Sequence, residues 1–233
     1  PNLLHLFLTN NKISDLSPLE ELPGLYWLAL DGNQIVDISP LKGLIGLKIL
    51  ELGRNQIFDL TPLEELPKLG YLRLQGNKIK DITPIGGLSN LHTLYLENNQ
   101  IMEISPVMNL IELSGLDLSG NQIIDLSPLS GLRSLKNLFL GSNKIVDISP
   151  LEKLNPYSLR LDNNQLRDIT SLSKLFLHEL YLENNHITDI SPLIKHTGLE
   201  DLRLGKNKVS DISTLGSLYN LRRLNLEDNQ IKD

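Results

Sequence analysis

The sequence predicts an α/β solenoid, a chain that builds one small supersecondary unit over and over along its length. Three observations predict it. Asparagine recurs on a fixed period: Asn11, Asn33, Asn55, Asn77, Asn99, Asn121 and Asn143 are each 22 residues from the next. Asn164 and Asn185 follow after steps of 21, and Asn207 and Asn229 after steps of 22. A pair of leucines in alternation precedes each asparagine, and a Ser/Thr-Pro pair follows most of them. An internal period of this size decides the architecture, because no single unit can bury its own apolar face.

The third copy, LKILELGRNQIFDLTPLEEL, shows how each element arises. Leu50 and Leu52 alternate with Ile49 and Glu51, the period-two pattern of a short strand with one buried face. Asn55 falls where the chain must turn, and its amide can satisfy backbone groups inside the coil. Ile57 and Leu60 return to the core. Thr61 and Pro62 then read as a helix start, with Thr as N-cap and Pro at the first helical position. The space before Leu69 allows only one or two turns, so a short helical or 3₁₀ segment leads into the next strand.

The other copies repeat this grammar. Ser/Thr-Pro recurs at Ser17-Pro18, Ser39-Pro40, Thr83-Pro84, Ser105-Pro106, Ser127-Pro128, Ser149-Pro150 and Ser191-Pro192, and lapses at Thr170-Ser171 and Ser213-Thr214. An acidic residue stands four places after every asparagine, from Asp15 and Asp37 through Asp59, Asp81, Glu103, Asp125, Asp147, Asp168, Asp189 and Asp211 to Asp233. A carboxylate just before a helical turn can accept from free backbone amides, so this column reads as structural and not as a metal track. The two short repeats lose one residue on the return to the strand, between Leu154 and Leu159 and between Leu175 and Leu180. A local change of curvature is expected there, and the shortening reads as a tolerated deletion.

Composition limits the function. Hydrophobic residues make up 40% of the 233 and aromatics only 5%, so Leu and Ile carry the core. The net charge of −6 argues against nucleic acid as the main partner, which would favour a basic stripe. With no cysteine, disulfides, thiolate zinc sites and thiol catalysis are excluded. No apolar run approaches the ~20 residues of a membrane span, and no membrane insertion is expected. The repeats run from end to end without a linker, so residues 1–233 read as one repeat domain of about eleven repeats, the last truncated. The chain starts and stops inside a repeat with no polar cap in sight, and is therefore read as part of a longer protein.

With these residues laid out, the pattern LxxLxLxxNxIxDISPLxxL resembles the leucine-rich repeat family over the whole chain. Its 22-residue length and Asp-Ile/Leu-Ser/Thr-Pro-Leu segment look most like the bacterial internalin-type class. The resemblance implies a leucine-rich repeat horseshoe with a concave parallel β-sheet and short helical or 3₁₀ segments on the convex side. It also implies a protein-binding role, on a bacterial cell surface or in a secreted protein. An alternative is an intracellular scaffold or regulatory subunit of an enzyme such as a protein phosphatase, whose leucine-rich regulatory subunit has repeats of similar length. The immunoglobulin-like domain and wall-anchor signal of internalins are not present in this chain, which weakens the resemblance to an anchored adhesin.

No motif supports catalysis. His5, His92, His178, His186 and His196 form no helical metal pair. His196 takes the place of a core leucine and reads as structural. Asp117, Ser119, Asn121 and Asp125 lack the glycine and distal glutamate of a calcium loop. No nucleophile turn and no phosphate-binding glycine spacing occurs. Neither an enzyme nor a cofactor is expected.

Function must then lie in side chains the repeat leaves free. Between the paired leucines one strand face carries Phe7, Ala29, Glu51, Arg73, Tyr95, Asp117, Phe139, Arg160, Tyr181, Arg203 and Asn225. Two residues earlier stand His5, Trp27, Ile49, Tyr71, Thr93, Gly115, Asn137, Ser158, Glu179, Asp201 and Arg223. Six of the chain's eleven aromatic residues fall in these rows. Aromatics and arginine dominate interface energetics, which makes Phe7, Trp27, Ile49, Tyr71, Arg73, Tyr95, Phe139, Arg160, Tyr181 and Arg203 the candidate partner-binding residues. The N-terminal rows are more apolar and the C-terminal rows more charged. The expected partner is a protein, anchored by the apolar patch and oriented by charge, and the chain itself is expected to be a monomer.

Overall fold

The computed structural model describes residues 2–232, so Asp233, the end of the acidic column, lies outside the described residues. The chain divides into two compact units, Pro1–Asn121 and Gln122–Asp233.

In the first unit the strands are β1 (His5–Phe7), β2 (Trp27–Ala29), β3 (Ile49–Glu51), β4 (Tyr71–Arg73), β5 (Thr93–Tyr95) and β6 (Gly115–Asp117). They pair in parallel and in chain order, and the register places Leu6 against Leu28, then Leu50, Leu72, Leu94 and Leu116. In the second unit β7 (Asn137–Phe139), β8 (Ser158–Arg160), β9 (Glu179–Tyr181), β10 (Asp201–Arg203) and β11 (Arg223–Asn225) pair likewise. There Leu138 stands against Leu159, then Leu180, Leu202 and Leu224. Each strand is three residues long because the second leucine of the pair already leads into the turn.

The predicted segments on the return path are all 3₁₀, as in Thr61–Glu65 and Ser127–Leu129. The N-cap expectation needs correction. Thr61 is the first residue of its turn, and Leu60 before it makes no side-chain cap bond. The cap comes from the acidic column: the Thr61 amide donates to Asp59 Oδ1 at 2.9 Å. Asp15, Asp37, Asp81, Asp125, Asp147, Asp168, Asp189 and Asp211 accept in the same way from the amide two residues on. A carboxylate at this spacing closes a local turn with its own backbone. The Ser or Thr hydroxyl donates to that same aspartate instead of capping, as Ser17 Oγ does to Asp15 Oδ2 at 3.0 Å.

The core is a stack of identical layers. Leu28, Leu50, Leu72 and Leu94 in the first unit, and Leu138, Leu159, Leu180 and Leu202 in the second, are fully covered. Beside this column runs the asparagine ladder. Asn99 Nδ2 donates to Leu96 O of its own repeat and to Leu74 O of the repeat before, both at 3.0 Å. Its Oδ1 accepts from Ile79 N, also of the repeat before, at 3.1 Å. Asn33, Asn55, Asn77 and Asn121 do the same in the first unit. Asn164, Asn185, Asn207 and Asn229 do so in the second. The residue before each asparagine is left-handed, as at Arg54 (φ 53°) and Gly32 (φ 69°). Glycine takes this backbone at no steric cost, and a Cβ on Gly32 would come within 2.3 Å of Asn10 Oδ1, an exposed side-chain end that would have to move.

His196 is 4% exposed, and its Nε2 lies 3.0 Å from Leu172 O. It fills a core leucine position, as the spacing predicts. Tyr157 and His178, the residues just before β8 and β9 in the shortened repeats, stack ring on ring at 4.4 Å and 12°.

Candidate functional site

Parallel pairing sets equivalent residues of successive repeats side by side, so a row in the sequence becomes a row on the sheet. In the first unit this face is a linked set of side chains. Phe7, 57% exposed, meets Trp27 edge to face at 4.9 Å between ring centroids. Trp27 Nε1 donates to Glu51 Oε1 at 2.9 Å, and Glu51 Oε2 lies 3.6 Å from the Arg73 guanidinium. Arg73 in turn stands 5.8 Å from the ring centroid of Tyr95, which packs edge-on against Tyr71 at 5.8 Å. Ile49 and Tyr71, both half-buried, line an open groove at the N-terminal ends of the strands. Burial pushes the Glu51 and Glu97 carboxyls above their ordinary values, and the Tyr71 hydroxyl with them. Side chains held by such contacts lose little rotamer freedom when a partner arrives.

The second unit presents cations. The Arg160 guanidinium lies between the rings of Phe139 and Tyr181, 4.7 Å from each centroid. Arg203 covers Tyr181 at another 4.7 Å. Beneath them Asp201, only 1% exposed, receives the Tyr181 hydroxyl at 3.2 Å, Arg203 Nε at 3.4 Å and Arg223 Nε at 3.0 Å. Burial and then the Asp201 charge push the Tyr181 hydroxyl above its usual range. Arg160, Arg203 and Tyr181 border a groove of about 490 Å³ whose other wall includes Asp162, Glu183 and Lys206.

The structure thus groups Phe7, Trp27, Ile49, Tyr71, Arg73 and Tyr95 on the first unit's face, and Phe139, Arg160, Tyr181 and Arg203 on the second's. Tyr181 differs from the rest. It is 8% exposed, because two guanidiniums and Asp201 enclose it, so it supports the arginines instead of offering its own ring. Sequence reasoning gave Asp201 no role. The signal for it was an acid between Glu179 and Arg223 in one row and next to Arg203 in the other. Among the described residues no group of three His, Cys, Asp or Glu side chains could hold a metal ion. No helix of the described residues is long and apolar enough to cross a membrane.

The two faces share one scaffold, and that scaffold defines the class. The profile "Leucine Rich repeats (2 copies)" matches residues 67–107, 111–153, 175–217 and 197–233, and "Leucine rich repeat" matches 23–79. The chain belongs to the leucine-rich repeat family. Among solved structures it is similar to an internalin (inlF) of Listeria monocytogenes, with 36% identity and a TM-score of 0.92 over 99% of this chain and 69% of that one. It is similar also to internalin C2 (inlC2) of the same organism, with 36% identity and a TM-score of 0.69 over 88% of this chain and 82% of that one. A plant peptide hormone receptor, RGFR1, solved in complex with RGF2, matches at 27% identity and a TM-score of 0.75 over 90% of this chain and 37% of that one. None of the curated proteins matches this chain.

Proposed function

We propose that this chain is the recognition module of a bacterial surface or secreted protein, binding a protein partner through the open face of its sheet and catalysing nothing. One observation carries the reading. The paired strand leucines and the ladder asparagine recur in every repeat, while the strand rows between them hold ordered aromatics and arginines that differ from repeat to repeat. A surface that varies on an unvarying frame is free to encode a partner. The likeness to two Listeria internalins supports a surface or secreted setting over an intracellular scaffold, and the receptor solved with RGF2 supports recognition of a polypeptide. On this reading residues 1–233 act as one binding domain with no cofactor, and act as a monomer.

Two variants test it, each confined to one unit: Phe7→Ala with Tyr95→Ala, and Phe139→Ala with Arg160→Ala. Circular dichroism first establishes that both are folded. A protein captured from host or bacterial extracts by the parent, then measured as purified partner, should bind at least one variant on the order of tenfold more weakly. Undiminished binding to both variants would move the site off this face.

A further inference from the structure

The residues just before β2, β3, β4 and β5 form a row of their own: Tyr26, Lys48, Gly70 and His92. Three of these have large side chains and one has none. The result is a notch between Lys48 and His92, part of a groove of about 560 Å³ walled by Ile49 and Tyr71. The backbone does not require this glycine. Its φ lies outside the left-handed region, and a Cβ there would sit 3.6 Å from Asn90 O and 3.7 Å from His92 Nδ1, ordinary contact distances. The missing side chain therefore leaves room and serves no turn.

The rim of the notch is cationic. Lys48 Nζ lies 5.2 Å from the ring centroid of Tyr26, and Lys68 borders the same groove. Among the described residues neither ammonium makes an ion pair, whereas nearby Lys42 is paired with Glu65 at 2.9 Å. Two unpaired cations thus flank an apolar wall on a protein whose net charge is −6. An apolar ring or branched chain would leave water against Ile49 and Tyr71, while carboxylates beside it would meet the lysines. A phosphate chain would gain the two lysines but waste the apolar wall and meet the opposing net charge.

We infer that the notch at Gly70 receives a large apolar side chain, aromatic or leucine, from a protein segment in which Asp or Glu flanks that residue. The inference rests on the sheet face being a protein-binding surface, and it specifies the partner's chemistry there.

The probes are short synthetic peptides: Phe flanked by Asp and Glu, the same peptide with Ala for Phe, and Phe flanked by Lys. Amide resonances of Gly70, Tyr71 and Thr93 in the isotope-labelled protein report binding. The acidic Phe peptide should move them, and the other two should bind at least about tenfold more weakly. Gly70→Lys, which fills the notch with the residue of the preceding repeat, should weaken the acidic Phe peptide by a similar factor. Gly70→Ala, which adds only an atom at ordinary contact distance, is the control that the fold accepts a side chain there. Equal binding of the three peptides, no movement of these resonances, or undiminished binding to Gly70→Lys would overturn the inference. A natural partner lost from the sheet-face variants yet kept by Gly70→Lys would reject the notch and leave the sheet-face reading standing. A partner kept by all of them would reject both.

Discussion

His196 shows what one substitution inside a repeat does. Most of its counterparts in other repeats are leucines, such as Leu132 and Leu154, fully or nearly fully buried. Burial holds the imidazole below its ordinary value, partly offset by the bond to Leu172 O. A depressed histidine binds its proton more readily when unfolded, so the stability it supports is present above the unfolded value of about 6.5 and is lost as pH falls through the folded value. His196→Leu should therefore remove an acid-sensitive part of stability. Denaturant midpoints at pH 7.5 and pH 5 should differ less in the variant than in the parent, and an unchanged difference would show that other groups set the dependence. At this scale the sequence was a good guide to buried positions and a poor one to Tyr181. Its enclosure depends on Arg160 from the repeat before it and on Arg203 and Asp201 from the repeat after it. No window of sequence shows that such residues stack.

Among elements, the 3₁₀ turn is the one whose chemistry the sequence showed only in part. The Ser/Thr-Pro pair was legible as a start signal, but the acceptor is the aspartate two residues before it. Hydroxyl and carboxylate both suit a cap, and only their geometry decides between them. In the sixth repeat the Ser127 amide donates to Asp125 Oδ1 at 2.8 Å and the Ser127 hydroxyl donates to the same oxygen at 2.6 Å. Those two bonds hold the Asp125 carboxyl below the usual range. Asp125→Ala should cost about 1 kcal/mol, the typical loss of a helix cap. Ser127→Ala, which keeps its amide bond to the carboxylate, should cost less. Chemical denaturation of the pair decides the order, and the reverse ranking would return the cap to the hydroxyl. The strands needed no such correction, because a buried leucine at every second place admits one register only.

For the whole molecule, the period, the parallel order and the leucine core were legible because each is stated about eleven times over in the sequence. What was not legible lies between repeats. The exposed position three places after the asparagine, for example, holds Val36, Phe58, Lys80 and Met102 in successive repeats, a place the repeat leaves unspecified. A stack of this kind should also respond to damage locally, since each layer meets only its neighbours. Leu138→Ala empties a fully buried site and should cost about 2–5 kcal/mol. Hydrogen exchange should then quicken in β7 and β8 while β10 and β11 keep most of their protection. A uniform loss across the second unit would show that it opens as one body. The asparagine ladder carries a consequence for how such a chain comes to have its length. Within each unit a turn is completed by donors and an acceptor from the repeat that follows it, and each such repeat supplies the same set. A copy inserted by duplication, or one removed by unequal exchange between genes, finds its hydrogen-bonding needs already met on both sides. Length can then drift at little cost in folding, and selection is left to act on the rows that face a partner.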